Sequence, residues 1–392
     1  MPSYRYLIVG ASMTGDAAVR GIRDTDPSGS IGLIGTEPDP PYNRPPLTKG
    51  LWKGQKEEEI WRSTAALGAT LHLDRTVRSV DVAAKRVTDD RGETYAYDRL
   101  LLSTGGTPKR LDLDGDGILY YRTHHDYERL RALAERGRRF AVIGGGFIGS
   151  EIAAALAMNG KSVTLLLRGT GIAAGMFPAG LSAFLNEYYA EKGVDVVTGE
   201  TASAVQVTGD TTTVSTSAGR RVDVDGVVAG VGIRPNTELA QAAGLTVDDG
   251  IVVDQHLRTS HPDVYAAGDV ARFYNPALGE YVRVEHEDNA NTMGQAAGRN
   301  MGGQAVTYDH LPFFYSDLFD LGYEAVGDLR AALTIVEDWK DPYREGVVYY
   351  LRGGRVRGVL LWNVWGQVDH ARRLIAEPGP LTPDGVKGRL PR

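Results

Sequence analysis

The sequence is that of an α/β protein closed by an antiparallel sheet, and three observations predict it. An apolar strand over residues 140–143 runs straight into the turn Gly144-x-Gly146-x-x-Gly149, an apolar helical run over 152–158 follows, and a second strand comes after Gly160. A looser copy of the pattern opens the chain, with a strand over residues 4–9 ending in Gly10-Ala11-Ser12-Met13-Thr14-Gly15. From about residue 305 the composition turns to aromatic, alternating segments (Phe313, Phe314 and Tyr315, then 346–351 and 355–362). Together these give two Rossmann-like dinucleotide-binding domains in tandem plus a C-terminal α+β domain with an antiparallel sheet.

Each element has a local reason. In a strand–turn–helix–strand context, Gly144 permits the tight turn, Gly146 lets the backbone approach a pyrophosphate, and Gly149 lets the helix pack on the strand with its N-terminus facing the phosphates. In the first copy Ser12 replaces the middle glycine; serine is small, so close approach survives. The next strand, over 30–35, should end in an acidic residue that grips a ribose. Thr36 stands there and Glu37 follows. Either can bond a ribose hydroxyl, and Glu37 reads equally as an ordinary loop charge. Residues 38–52 are proline-rich, which stiffens them into extended and turn conformations; with Arg44, Lys49 and Trp52 the stretch reads as a cofactor clamp or as a surface linker. Short alternating strands follow over 70–73, 77–82, 86–88, 94–97 and 99–103, the last ending at another glycine turn. Gly, Asp and Pro around 108–117 mark a domain crossing. The central fold then runs to the glycine-ended strand at 227–236. A strand and glycine–aspartate turn reach Asp269, a helix of small residues spans 290–301, and another covers 367–376. The domains are therefore expected at 1–115 and 238–304 (one fold, interrupted and resumed), 116–237, and 305–392.

The 392 residues carry a net charge of −7, which argues against nucleic acid as the main partner. With no cysteine there is no disulfide, thiolate nucleophile, thiolate metal site or Cys-ligated iron–sulfur cluster, and no metal site is expected. The N-terminus enters a strand without a charged, then apolar, leader, and no apolar run approaches the ~20 residues of a membrane span. The expectation is a cytoplasmic protein, monomer or homodimer, with no membrane partner.

The chain resembles the two-dinucleotide, glutathione-reductase-like flavoproteins, and within them the branch of oxygenase-coupled ferredoxin reductases and apoptosis-inducing factor. The resemblance is carried by Arg44-Pro45-Pro46-Leu47-Thr48-Lys49, Ser103-Thr104-Gly105-Gly106, Gly145-Gly146-Phe147-Ile148-Gly149-Ser150-Glu151, Gly232-Ile233-Arg234-Pro235-Asn236 and Tyr265-Ala266-Ala267-Gly268-Asp269. Glu285-His286-Glu287-Asp288, Phe314-Tyr315-Ser316-Asp317 and Gly322-Tyr323-Glu324-Ala325 are closer to the apoptosis-inducing-factor subgroup.

The resemblance implies FAD on the first fold, with Gly10, Ser12, Thr14 and Gly15 at its pyrophosphate. Arg44 and Lys49 are then at the phosphate and flavin regions, Val77 at the adenine through its backbone, and Thr104, Gly105 and Tyr315 in the same site. Arg122 is similar to a flavin-contacting arginine, Asp269 takes a ribityl hydroxyl, and Glu285 and His286 flank the pyrimidine edge. It implies NADH or NADPH on the second fold, held by Gly144, Gly145, Gly146, Ile148, Gly149 and Gly232. Phe147 covers the flavin face, and Trp52, Glu324 and Asn363 lie toward the nicotinamide; a core role explains Trp52 as well. Lys49 and Glu151 resemble a catalytic pair near flavin N5. Two departures stand out: Tyr315 replaces the subgroup's usual tryptophan, and Leu167-Arg168 stands where an acidic residue often favours NADH. Arg168 reads as a partner for a 2′-phosphate or as a surface arginine. The implied activity is FAD-dependent hydride transfer from NAD(P)H, with electrons passed singly to a ferredoxin-type iron–sulfur protein. The alternatives are a diaphorase reducing quinones or oxygen, and an NAD(P)H-sensing interaction protein.

Overall fold

The computed structural model describes residues 1–113, 117–209 and 211–391 and divides the chain into two compact units. The first comprises Met1–Arg44, Lys56–Thr107 and Arg234–Pro312; the second comprises Pro45–Gln55, Pro108–Ile233 and Phe313–Arg392. The proline-rich stretch is thus divided, Arg44 belonging to the first unit and Lys49 to the second. The expected domain boundary at residues 115/116 lies outside the described residues.

In the first unit the strand Ser3–Val9 pairs in parallel with Ile31–Ile34 on one side and Thr94–Leu102 on the other. Its last four residues are buried, the apolar run a strand needs when both sheet faces are covered. Ala69–His72 extends one edge, and the antiparallel hairpin Val77–Asp81/Arg86–Asp89 joins the N-terminal half of Thr94–Leu102. The returning chain adds Val264–Ala266 beside the C-terminal half of that same strand. An interrupted fold is in this way completed by a segment more than 150 residues later. Thr94–Leu102 is one strand, not the two expected; exposed Asp98 simply alternates outward between buried Tyr97 and Leu100, so pairing is not broken. Helix Glu287–Met301 lies tightly on helix Met13–Thr25: a Cβ at Gly298 would fall 2.1 Å from the Ala18 carbonyl oxygen.

In the second unit a parallel sheet runs in the order Val194–Thr198, Ser162–Leu167, Arg139–Ile143, Gly226–Ala229, Ile118–Tyr120. Helix Phe147–Met158 connects its two central fingerprint strands. Helices His124–Arg136 and Ala179–Glu191 and the meander Ala202–Thr208/Thr211–Thr216/Arg221–Val224 were not anticipated. The first had a legible start, because Thr123 and Asp126 form a reciprocal capping box. The proline-rich stretch folds into two 3₁₀ turns, Pro45–Leu47 and Gly50–Trp52. The C-terminal antiparallel sheet runs Phe313–Leu318, Leu321–Gly327, Arg355–Trp362, Glu345–Arg352, Thr334–Asp341, with helix Val368–Ala376 packed on it. Among the described residues no helix is long and apolar enough to cross a membrane.

Candidate functional site

The two glycine turns are built alike. Gly10 (φ +123°) and Gly144 (φ +108°) each end the central strand of their sheet. An added Cβ would lie 2.1 Å from the Ser103 carbonyl oxygen in one and 2.4 Å from that of Gly230 in the other. Both turns therefore press against the end of the neighbouring strand, at the point where strand order reverses, the place where open α/β sheets take ligands. At the third position a Cβ would fall 2.3 Å from the Gly10 oxygen in Gly15 and 1.8 Å from the Gly144 oxygen in Gly149, so the helix needs glycine to sit so close. Gly146 differs: its Cβ would meet nothing within 4 Å. Ser12 and Gly146 are the N-caps of Met13–Thr25 and Phe147–Met158, and neither helix has a side-chain cap bond. Open space at the middle position and helix ends without a side-chain cap fit a pyrophosphate bonded by backbone N–H groups.

Around the first turn, Arg44 pairs with Glu37 and donates to the Tyr42 hydroxyl at 2.9 Å, while that hydroxyl donates to Glu37 at 2.6 Å. Glu37 is thus joined to Arg44 rather than being an idle loop charge. Burial works against the Arg44 charge, but Tyr42, Glu37 and Asp269 outweigh it and raise its pKa further. Thr36 is exposed, 3.3 Å from the Thr76 hydroxyl, and Val77 is buried opposite Asp89. Thr14 is buried on the helix. Thr104 and Gly105 are tied to Asn236: Thr104 Oγ1 donates to its carbonyl at 2.7 Å, and the Gly105 carbonyl accepts its N–H at 3.0 Å. Asp269 sits on the 3₁₀ turn Gly268–Val270, its carbonyl accepting from Arg283 at 3.2 Å, and Arg283 also pairs with exposed Glu285 at 2.5 Å. His286 is the N-cap of Glu287–Met301. Burial pulls its imidazole down to about 4 against the opposing charges of Asp269 and Asp288.

Sequence reasoning missed the support beneath this turn. Arg62 donates to Asn43 (2.8 Å), Asp16 (3.1 Å) and Asn291 (2.8 Å), joining the strap before Arg44 to both helices. Burial would raise the Asp16 carboxyl, but bonds from Arg20 and Thr64 and the charge of Arg62 hold it below the usual range. Nothing local in the sequence marks these residues.

In the second unit Lys49 and Glu151 meet: Nζ lies 2.8 Å from Oε1, with side chains 14% and 3% exposed. Thr48 and Ser316 also donate to Glu151, each at 2.5 Å, and Lys49 lies 5.2 Å from the centroid of the exposed Tyr315 ring. Phe147 packs edge-on to Phe314 at 5.1 Å, and Ile148 is exposed beside it. Arg122 donates its backbone N–H to Asp126 in the capping box. Arg168 is exposed directly after the strand Ser162–Leu167. Gly145 packs on Leu167, and Gly232 (φ +89°) accepts the Lys109 N–H at 2.9 Å.

Three residues expected toward the nicotinamide have structural work. Trp52 is buried, donates Nε1 to the Leu47 carbonyl at 2.8 Å and packs on Tyr127, so the core reading holds. Asn363 accepts from Gly322 N–H and donates to the Arg344 carbonyl. Glu324 accepts the Gly366 N–H at 3.0 Å; burial raises its carboxyl pKa, partly offset by the N–H groups of Gly366 and Gln367. Among the described residues no cluster of His, Asp and Glu could hold a metal ion.

Comparison with known proteins agrees with this fold. The chain is 35% identical over 381 residues to the ferredoxin–NAD(+) reductase component of the anthranilate 1,2-dioxygenase system of Burkholderia cepacia, covering 95% of this chain and 94% of that protein. It is 33% identical over 416 residues to apoptosis-inducing factor 1, mitochondrial, of Dictyostelium discoideum, covering 95% of this chain and 78% of the relative. The crystal structure of the covalent putidaredoxin reductase–putidaredoxin complex superposes with a TM-score of 0.91 at 31% identity, covering 98% of this chain and 95% of that one. A model for the C-terminal part of mitochondrion-associated apoptosis-inducing factor matches residues 336–377. The model for pyridine nucleotide-disulphide oxidoreductases matches residues 4–294, and the chain belongs to that family.

Proposed function

We propose that this protein is an FAD-dependent NAD(P)H oxidoreductase that delivers single electrons to a small iron–sulfur protein of the ferredoxin type. The observation that carries the reading is likeness along nearly the whole chain to a ferredoxin–NAD(+) reductase component, in a chain without a single cysteine. The disulphide chemistry in the family's name needs thiols, so here electrons must leave by another route. The flavin, when bound, supplies the chemistry of accepting a hydride and releasing electrons one at a time.

The chain's residues bind, orient and set charge. Gly10, Ser12, Thr14 and Gly15 would hold the FAD pyrophosphate on backbone N–H groups, with Arg44 neutralising phosphate charge. Asp269 would orient the ribityl chain, and the N-terminus of Glu287–Met301, behind His286, would stabilise negative charge at the pyrimidine edge by roughly 0.3–1 kcal/mol. Gly144 to Gly149 would hold the nicotinamide nucleotide and Arg168 its 2′-phosphate when present. Lys49, fixed by Glu151, would favour negative charge arriving at flavin N5. FAD then belongs to residues 1–115 and 238–304, NAD(P)H to 116–237, and 305–392 form the C-terminal domain. A cytoplasmic setting, as monomer or homodimer, completes the reading.

A second reading is favoured by the match at residues 336–377: an NAD(P)H-sensing interaction protein whose reduced nucleotide complex is long-lived and alters dimerisation. Steady-state oxidation of NADH and NADPH with a ferredoxin, a quinone and oxygen separates the two. Fastest turnover with the ferredoxin supports the reductase, and faster turnover with quinone or oxygen makes it a diaphorase. Slow turnover with all three, alongside a persistent reduced complex, selects the sensing role. A folded protein that takes up no FAD ends the reading.

A further inference from the structure

Glu151 is where three segments of the second unit, far apart in sequence, converge. Its Oε1 takes Lys49 Nζ at 2.8 Å and the Ser316 hydroxyl at 2.5 Å, and its Oε2 takes the Thr48 hydroxyl at 2.5 Å. The side chain is 3% exposed, so a charge placed there depends on donors from the protein. The hydroxyls come from different elements and bond different carboxylate oxygens. Thr48 precedes Lys49 in the proline-rich stretch, while Ser316 belongs to the C-terminal sheet.

The strand Phe313–Leu318 lies along the fingerprint helix so that alternate side chains read one helix face. Phe314 meets Phe147 at 5.1 Å, and Ser316 meets Glu151. Two residues of strand advance about 6.6–6.8 Å and four residues of helix about 6.0 Å, so the spacings match. Asp317, pointing the other way, pairs with Lys53 at 3.3 Å and ties strand and proline-rich stretch together a second time. Buried Tyr189 and Tyr323 stand close: both phenols are pushed well above the usual range, by burial first and then by the Glu151 charge.

We infer that Thr48 and Ser316 are positioning residues: their hydroxyls fix the orientation of the Glu151 carboxylate and, through it, the place of the Lys49 ammonium. The terminal torsion of a glutamate is broad, so with Lys49 as its remaining donor the carboxylate could rotate and carry the ammonium with it. The hydroxyls remove that freedom by holding both oxygens. The inference rests on the proposed reading that the Lys49–Glu151 pair serves a flavin.

The test uses the full-length protein loaded with FAD, as Ser316→Ala, Ser316→Thr and Thr48→Val, with the Ala and Val changes repeated in a Glu151→Ala background. Reduction by NAD(P)H is followed by anaerobic stopped flow, the flavin midpoint potential by dye equilibration, and thermal unfolding in the protein stripped of FAD. Ser316→Ala and Thr48→Val are each expected to lower the limiting reduction rate about three- to tenfold with nucleotide Kd within twofold. Both should move the potential in the direction that Lys49→Ala moves it. Ser316→Thr should restore both values, and in the Glu151→Ala background, where no acceptor remains, the effect of losing either hydroxyl should shrink. Equal factors in both backgrounds, or a change in Kd alone, would overturn the positioning role. If the wild type takes no FAD or is not reduced by NAD(P)H, the functional reading fails by itself. The stripped protein then decides: a destabilisation by Ser316→Ala that shrinks in the Glu151→Ala background upholds the hold on Glu151, and one that persists unchanged overturns it.

Discussion

Removing Lys49, Glu151 or both is the sharpest perturbation this structure offers. At 2.8 Å and an effective dielectric near 20, the pair's attraction is roughly 6 kcal/mol, most of it offset by the cost of taking both charges out of water. The singles should be unequal. Lys49→Ala leaves a carboxylate 3% exposed, held by the two hydroxyls but with its cation gone, and should cost about 3–4 kcal/mol. Glu151→Ala leaves an ammonium that is 14% exposed and retains the Tyr315 ring at 5.2 Å, a contact contributing about 0.5–1 kcal/mol. It can turn toward water, so the loss should be about 1–2 kcal/mol. The double variant should cost clearly less than the sum, because it strands neither charge. Urea unfolding of the three variants measures this. Stopped-flow reduction should show Lys49→Ala slowed with FAD still bound, and Glu151→Ala should shift the flavin potential the opposite way. Losses that add within about 0.5 kcal/mol, each below ~1 kcal/mol, would mean an ordinary surface pair and refute the reasoning.

Glycine substitutions should separate binding from folding. Gly149→Ala forces a Cβ to within 1.8 Å of the Gly144 oxygen and should lower the melting temperature and weaken nucleotide binding together. Gly146→Ala meets nothing within 4 Å, so it should melt like wild type yet bind NAD(P)H at least tenfold more weakly; unchanged affinity would remove the pyrophosphate from that position. Arg168→Ala should lower kcat/KM for NADPH relative to NADH, and a ratio that does not move makes Arg168 a bystander. His286 titrates near 4 when folded and near 6.5 when unfolded. The unfolded chain therefore binds the extra proton between those values, so stability is full above pH 6.5 and falls as pH drops toward 4, by about 3 kcal/mol in all. His286→Asn should flatten that part of the stability–pH curve, and an unchanged curve would show that the imidazole is not held neutral.

By itself the sequence determined the two glycine turns, their order, the interruption of the first fold by the second and the closing antiparallel sheet. Those features rest on constraints within a few residues: a positive φ at Gly144, a helix that cannot approach its strand unless Gly149 lacks a side chain, and the β-branched, aromatic and leucine-rich runs over 346–351 and 355–362, which are buried continuously rather than in the alternation expected. The capping box at Thr123 and Asp126 is equally local. The pairing of Lys49 with Glu151 could be anticipated only through family resemblance, and its surroundings could not be anticipated at all. Thr48 and Ser316 stand 103 and 165 residues from Glu151, and nothing distinguishes a positioning hydroxyl from a surface one until the chain has folded. Arg62, joining Asp16, Asn43 and Asn291, was hidden for the same reason. The core role of Trp52 and the loop-holding role of Asn363 were decided likewise by what tertiary packing brought against them. Turn geometry is a property of neighbours in the chain, whereas the satisfaction of a buried charge belongs to neighbours in space, which only the tertiary structure supplies.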